Sequence, residues 1–295
     1  AVVQAQTQIA AGRHADAAAT VAEAIALARD TGRPHREGRL GAVLARVAAI
    51  EGDEPRLREL TASAPPDLAD GAFALLDLGL GRYDDALRRL AHDPHGDVLS
   101  AADQVEAALR AGDAAQARAA FTRFRIWAEA GKQPWALAVS LRCEALLNER
   151  EEPFTEALRL HEQSSRPFER ARTELLYGEH LRRARRRSDA RVPLRSAATT
   201  FERLRATPWL DRARAELRAT GESGSSTPTA PDLVDRLTPQ ELQVVRLAAA
   251  GTSSREIAAQ LFLSPRTVEY HLYKAYPKLG ISSRKELSRL TLEPA

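Results

Sequence analysis

The stretch Leu237-Thr-Pro-Gln-Glu-Leu242 decides the fold of the C-terminal region, together with three that follow it: Gly251-Thr-Ser-Ser-Arg-Glu-Ile-Ala258, Ser264-Pro-Arg-Thr-Val-Glu-Tyr-His-Leu272 and Lys278-Leu-Gly-Ile-Ser-Ser-Arg284. Thr238 is a hydroxyl N-cap, Pro239 takes the first helical position, and Glu241 closes a capping box. Leu242, Val245, Leu247 and Ala248 form the expected buried stripe, and Gly251 is the left-handed terminator. Ser253-Ser254-Arg255-Glu256 repeats the box, with Ile257, Ala258 and Leu261 turned inward. After a tight turn through Phe262-Leu263, Ser264 and Pro265 open a third helix running to Leu279. Gly280 ends that helix, and Ser283-Arg284-Lys285-Glu286 caps a fourth through about Leu290. Three capped helices in this order are a helix-turn-helix, which sets one helix where it can lie in a DNA groove.

On the third helix Val268, Leu272, Ala275 and Leu279 recur at helical spacing and form the inward face. Arg266, Thr267, Glu269, Tyr270, Tyr273 and Lys274 are left outward, a face with hydrogen-bonding and aromatic groups and no large aliphatic residue. Two helix openings, Ser253-Ser254 and Ser282-Ser283, present free backbone N–H groups to an anion. Neighbouring Arg255, Arg284 and Lys285 add positive charge there, which positions a duplex without reading it. Pro277 is expected to kink the third helix or end it early.

Residues 237–290 closely resemble the DNA-binding domain of LuxR-type (GerE-like) bacterial regulators. The hallmarks are Leu237-Thr238, Glu241, Gly251, Glu256-Ile257-Ala258, Leu261, Ser264, Thr267-Val268, His271, Lys278-Leu279-Gly280 and Arg284. The resemblance implies that helix 265–279 reads the major groove, with Glu269, Tyr270 and Tyr273 facing bases. It places Thr267, Lys274 and Lys278 near phosphates; the outward Arg266 and the helix-opening residues Ser253, Ser254, Arg255, Ser283, Arg284 and Lys285 are expected at phosphates from their own charge and position. Two positions depart from the family. Asn is common where Ser254 stands, and a basic residue is common where Glu269 stands. Glu269 is unsuited to phosphate; as a base reader it would accept from a cytosine amino group.

Upstream, alanine and leucine abound and β-branched runs are few, so the expectation is all-α. Turn signals recur at Ala11-Gly12-Arg13, Glu51-Gly52-Asp53, Leu80-Gly81-Arg82-Tyr83, Ala111-Gly112-Asp113, Glu151-Glu152-Pro153-Phe154 and Arg186-Arg187-Ser188-Asp189. Ala17, Ala86, Ala117, Ala157 and Ala190 follow most of them; with the Glu51 turn counted, the five intervals from Ala17 to Ala190 average about 35 residues. Such a period means paired antiparallel helices stacked as a solenoid, the small Ala packing where the helices of a pair cross. Gly81-Arg-Tyr-Asp-Asp-Ala-Leu87 resembles the turn and second helix of a tetratricopeptide repeat, here degenerate. A generic helical bundle is the plainer alternative. Residues 219–236, rich in Gly, Ser, Thr and Pro, read as a flexible linker. The expected organisation is therefore a repeat domain (1–218), a linker (219–236) and a helix-turn-helix domain (237–295).

Charge agrees with this division. The chain carries a formal +3, while the segment from Arg236 onward holds nine basic against five acidic side chains. The basic excess belongs to the part expected to meet nucleic acid. A single cysteine, Cys143, excludes an internal disulfide and fits a reducing cytoplasm. No apolar run is long enough to span a membrane. There is no Met, so a piece of a longer protein is expected.

Other residues invite a chemical reading and have a plainer one. His271 has no acid, Cys or second His within helical reach, so a structural role is favoured over catalysis or metal. His92-Asp-Pro-His95-Gly-Asp97 reads as a solvated turn rather than a metal site. The run Leu181-Arg-Arg-Ala-Arg-Arg-Arg187 lies among Glu174, Glu179 and Asp189 and reads as a charged helix hairpin, not a second DNA patch. Trp127, Trp135 and Trp209 read as core or repeat-groove residues. No phosphate loop, no nucleophilic triad and no metal ligand set is present, so no enzyme activity and no cofactor are expected in this chain.

Repeats, linker and helix-turn-helix together resemble the C-terminal part of the large ATP-binding LuxR-family regulators, whose nucleotide-binding module this chain lacks. The expected function is a cytoplasmic, nucleoid-associated bacterial transcription factor. It would bind double-stranded promoter DNA as a homodimer and take a signal from an effector or protein partner on the repeat domain. The alternative is a helical-repeat interaction scaffold with only incidental DNA affinity.

Overall fold

The computed structural model describes residues 1–32, 37–62, 64, 66–91, 98–222, 237–261, 263–279 and 284–287. Helices and turns account for them, and no strand occurs among the described residues. The chain forms two compact units, Ala1–Ser223 and Gly224–Ala295.

The first unit, the body, runs α1 (Val2–Ala10), α2 (His14–Asp30), α3 (Glu37–Glu51), α4 (Glu54–Thr61), α5 (Pro66–Gly79) and α6 (Tyr83–Ala91). It continues through α7 (Val98–Arg110), α8 (Ala114–Gly131), α9 (Pro134–Asn148), α10 (Glu152–His161), α11 (Pro167–Arg183), α12 (Arg187–Arg203) and α13 (Thr207–Ala219). Helices pack in sequential pairs, α1 on α2 through α11 on α12. Gly12, Gly52, Gly81 and Gly112 sit in the joining turns with φ between +73° and +84°, a backbone that a side chain would strain. Ala17, Ala86 and Ala117 stand five residues beyond Gly12, Gly81 and Gly112, and all three are fully buried, as are Ala157 and Ala190. After Gly52 the equivalent position is Leu57, also fully buried. In α11 the close approach is supplied by Gly178, where a Cβ would come within 2.4 Å of Leu194. This pairing is consistent with the degenerate repeat expected from the sequence.

The last two pairs lack a turn glycine. Glu149 and Arg185 take the left-handed conformation themselves (φ 50° and 63°), a few residues before the turns the sequence suggests. Asp53 and Asp113 cap α4 and α8 by accepting from the backbone N–H groups of Arg56 and Gln116.

The body closes on itself. α13 packs against α3 and α5, far back along the chain. Trp209 is fully buried within the main core, and a Cβ on Gly79 would meet its Nε1 at 2.9 Å. A Cβ on Gly52 would meet Pro208, and one on Gly12 would meet Leu204. Phe168, Phe201 and Trp209 form one aromatic cluster with ring centroids 5.5–6.1 Å apart.

A buried ionic network accompanies this closure. Arg172 binds Asp103 at 2.6 Å and Glu106 at 2.9 Å, and its guanidinium lies 4.6 Å from the Trp209 ring centroid. Arg142 binds Glu169 at 3.0 Å, and Arg212 bridges Glu106 and Glu179 at 3.0 and 3.1 Å. Burial alone would raise the Glu106 carboxyl, but Arg212, Arg172 and Arg110 outweigh it and hold the group at about 2. Glu169 is also held at about 2, with Arg142 its strongest charged neighbour against burial. For Asp103 burial wins and the carboxyl is raised.

Two arginines of the basic run 181–187 are paired within the body, while Arg183, Arg185 and Arg187 are exposed. Arg182 pairs with Glu216, and Arg186 binds Asp189 at 2.7 Å and also Glu151. Trp209 is fully buried; Trp135 packs partly buried against a second core cluster, and the exposed Trp127 meets it with ring centroids 5.6 Å apart and planes tilted by 58°. Residues 219–222, which composition assigns to the linker, are tied to α12. Arg191 donates to the Thr220 carbonyl at 3.0 Å and Arg195 pairs with Glu222 at 2.9 Å. His92, His95 and Asp97 lie outside the described residues, as do 223–236.

The second unit comprises α14 (Pro239–Ala249), α15 (Ser254–Leu261), α16 (Pro265–Leu279) and α17 (Arg284–Leu287). Its core is Leu237, Val244, Val245, Ala248, Ile257, Ala258, Val268, Leu272, Ala275, Leu279 and Leu287. Leu242, Leu247 and Leu261 are only partly buried around it, while Val244, absent from the expected stripe, is fully buried. α16 continues through Pro277 to Leu279 instead of ending early. No helix among the described residues is long and apolar enough to cross a membrane.

Candidate nucleic-acid interface

Three local caps aim α14, α15 and α16. Thr238 and Glu241 form the reciprocal box on α14, with Thr238 N–H donating to Glu241 at 2.8 Å. Ser253 and Glu256 do the same on α15, where Ser253 N–H and Oγ both donate to the Glu256 carboxylate. Ser264 Oγ accepts from Thr267 N–H at 3.1 Å on α16 and also contacts the Thr267 hydroxyl at 2.7 Å. Each cap satisfies N–H groups that a helix start leaves open.

With α16 so fixed, Val268, Leu272, Ala275 and Leu279 are buried and the opposite face is open. Tyr270 is 57% and Tyr273 73% exposed, two large aromatic side chains turned to solvent. Tyr270 is braced from two sides: the His271 ring packs against its edge at 5.8 Å, and Lys274 lies 5.8 Å over its face. The half-buried His271 therefore steadies an exposed neighbour. Among the described residues no group of three or more potential metal ligands occurs.

The basic residues divide into two sets. Arg255, Arg266 and Lys274 are exposed, and none forms an ion pair among the described residues. Lys278 instead donates to Glu241 at 2.6 Å, and this bond is the chief cause holding the Glu241 carboxyl below its ordinary range. Arg284 donates to Ser254 Oγ at 2.7 Å and to the Thr252 carbonyl. The side chain of Lys285 and all of Ser283 lie outside the described residues.

Glu269 is held within the domain. Ser254 Oγ donates to its carboxylate, and Arg284 lies 3.8 Å from it. A side chain expected to face a base and two expected to face phosphate thus form one internal cluster at the start of α15. Its carboxylate sits where the helix dipole and Arg284 favour negative charge. Thr252, whose carbonyl receives Arg284, is a member that the sequence reading did not single out.

Residues 235–291 match the family described as bacterial regulatory proteins, luxR family. An HTH-type transcriptional regulator of Mycobacterium tuberculosis H37Rv is 55% identical over 51 residues, 17% of this chain and 6% of that protein. The HTH-type transcriptional regulator GfsR of Streptomyces halstedii is 40% identical over 68 residues, 23% of this chain and 26% of that protein. The transcriptional regulatory protein UhpA of Escherichia coli K12 is 47% identical over 55 residues, covering 19% and 28%. The similarity thus spans only a small part of each relative. No solved structure matches the chain. The C-terminal unit carries a helix-turn-helix domain of the LuxR family.

Proposed function

We propose that the chain regulates transcription by binding promoter DNA, with α16 in the major groove and the body serving as the receiver of a signal. The observation that carries this reading is the pair Tyr270 and Tyr273, both exposed on the face of α16 opposite its buried stripe. A helix of this width fits the groove, and side chains near its N-terminal half meet base edges. Tyr270 and Tyr273 contact bases in this reading. Arg255, Arg266 and Lys274 contact phosphates, and Thr267, held by the Ser264 cap, approaches the DNA backbone. Glu269 reads a base only after leaving Ser254 and Arg284. The protein acts in the cytoplasm as a homodimer on two half-sites, the arrangement that gives a small reading helix enough contact for specificity.

The test is selection of a binding site from random duplexes, followed by electrophoretic shift against that site. Specific binding should survive moderate salt. Binding that ignores sequence and vanishes with salt would instead mark the DNA affinity as incidental to a repeat scaffold. Tyr270→Ala should relax preference at one position by about 1–3 kcal/mol while leaving thermal unfolding unchanged. An unaltered preference profile would remove Tyr270 from the reading set.

A further inference from the structure

We infer that a cleft on the body, between the end of α10, the start of α11 and the last turns of α12, binds a small anion that also bears hydroxyl groups. The cleft has a volume of about 290 Å³, at the lower edge of what small-molecule sites occupy. Arg166, Arg170 and Arg203 line it, with hydroxyls from Ser164, Ser165 and Thr200. Arg166 is pre-positioned by stacking 3.7 Å from the Trp135 ring centroid, and Arg170 is steadied by Glu174 at 3.0 Å. Arg203 is exposed and forms no ion pair among the described residues. Glu162 also lines the cleft, and with Glu174 beneath it the three guanidiniums retain a positive excess. No side chain caps the start of α11, so its first N–H groups add to that field.

The second observation concerns His161, which lines the same cleft and is 1% exposed. Its Nε2 lies 3.0 Å from Thr173 Oγ1, whose own proton goes to the Glu169 carbonyl. Nε2 is therefore the protonated nitrogen, and Nδ1 carries only a lone pair. Burial, helped by Arg142, pushes the imidazole down to about 4, so the ring is neutral near pH 7. Nδ1 has no hydrogen-bond partner among the described residues. A buried acceptor without a donor asks for an O–H or N–H from outside the protein. Arg203, which has no ion pair among the described residues, asks for a phosphate or carboxylate. One ligand meeting both demands is a hydroxylated acid: a polyol phosphate or a hydroxycarboxylate.

The test is calorimetric titration of the full chain with glycerol 3-phosphate, glycerate, inorganic phosphate and glycerol. Glycerol 3-phosphate or glycerate should bind at least about tenfold more tightly than inorganic phosphate or glycerol, and which of the two does so identifies the anionic group. Arg203→Glu, at an exposed position, should weaken that binding about tenfold or more without moving the melting temperature. His161→Phe should abolish the advantage over inorganic phosphate. No binding of either hydroxylated acid, equal binding of inorganic phosphate, or indifference to Arg203→Glu would overturn the assignment. None of these readouts involves DNA, so they stand or fall apart from the proposed regulatory role.

Discussion

The body and the C-terminal unit treat charge in opposite ways. In the body, Arg142 and Arg172 are sunk to 1–2% exposure among Asp103, Glu106 and Glu169, and the helices close around them. In the C-terminal unit the core is aliphatic, and Arg255, Arg266 and Lys274 stand in solvent. A buried ion pair contributes little net stability over an apolar pair of the same volume, yet removing one member is costly. An exposed cation contributes little to stability and remains available to a polyanion. The same residue type is thus committed to the fold at Arg142 and Arg172 and left in solvent at Arg255 and Arg266.

The largest effect that would break this contrast is expected at Arg172. Arg172→Met leaves Asp103 and Glu106 buried without their shared guanidinium and should cost about 3–5 kcal/mol. Chemical denaturation followed by Trp fluorescence reports on the body alone, since Trp127, Trp135 and Trp209 all lie within it. Acid gives the same contrast by another route. Glu106 and Glu169 have folded values of about 2 against an ordinary 4.5. Their contribution is present above the unfolded value and lost as pH falls from the unfolded value toward 2. The raised Asp103 opposes this in part. The body should therefore lose stability across that window, and Arg172→Met should flatten the loss. A stable Arg172→Met protein with unchanged acid response would mean the network is incidental to the closure.

The next effect is expected at Lys278, where the two modes of using charge meet. The ammonium binds Glu241, which is itself part of the α14 cap and nearly buried. Lys278→Ala strands that carboxylate and should cost the C-terminal unit about 1–2 kcal/mol, discounted because Lys278 is partly exposed. A phosphate contact would show differently, as a salt dependence flattened by about one unit with stability intact. Measuring both quantities on one variant decides between them.

What was legible in the sequence follows the range of the interactions. The Thr238–Glu241, Ser253–Glu256 and Ser264–Thr267 caps span three residues each, and composition and spacing are enough to place them. The buried alanines after the turn glycines are legible for the same reason. The closure of α13 on α3 and α5 is not, because Trp209 and Gly79 carry no local mark of their meeting. Nor is the pairing of Arg172 with Asp103, 69 residues away. Lys278 carries a local mark of its internal partner. It stands next to Leu279 and three residues after Ala275, beside the inward stripe and not opposite it. Glu269 gave none, since its partners come from α15 and α17.

The smallest effect is expected at Glu269 and sharpens the contrast most. Its carboxylate holds Ser254 and Arg284 at the start of α15, the place where a phosphate would otherwise be received. Bound DNA must either displace that carboxylate or do without those two donors. Glu269→Gln keeps the shape and removes the charge that competes with a phosphate for Ser254 and Arg284. Affinity for all duplexes should then rise about threefold to tenfold, with the salt slope steeper by about one unit as one more phosphate is engaged. If Glu269 instead reads a cytosine amino group, the same variant should lose affinity only for sites carrying that base. A uniform gain marks Glu269 as a brake on backbone contact, and a base-dependent loss marks it as a reader. The two outcomes separate on a single pair of operators differing at one position.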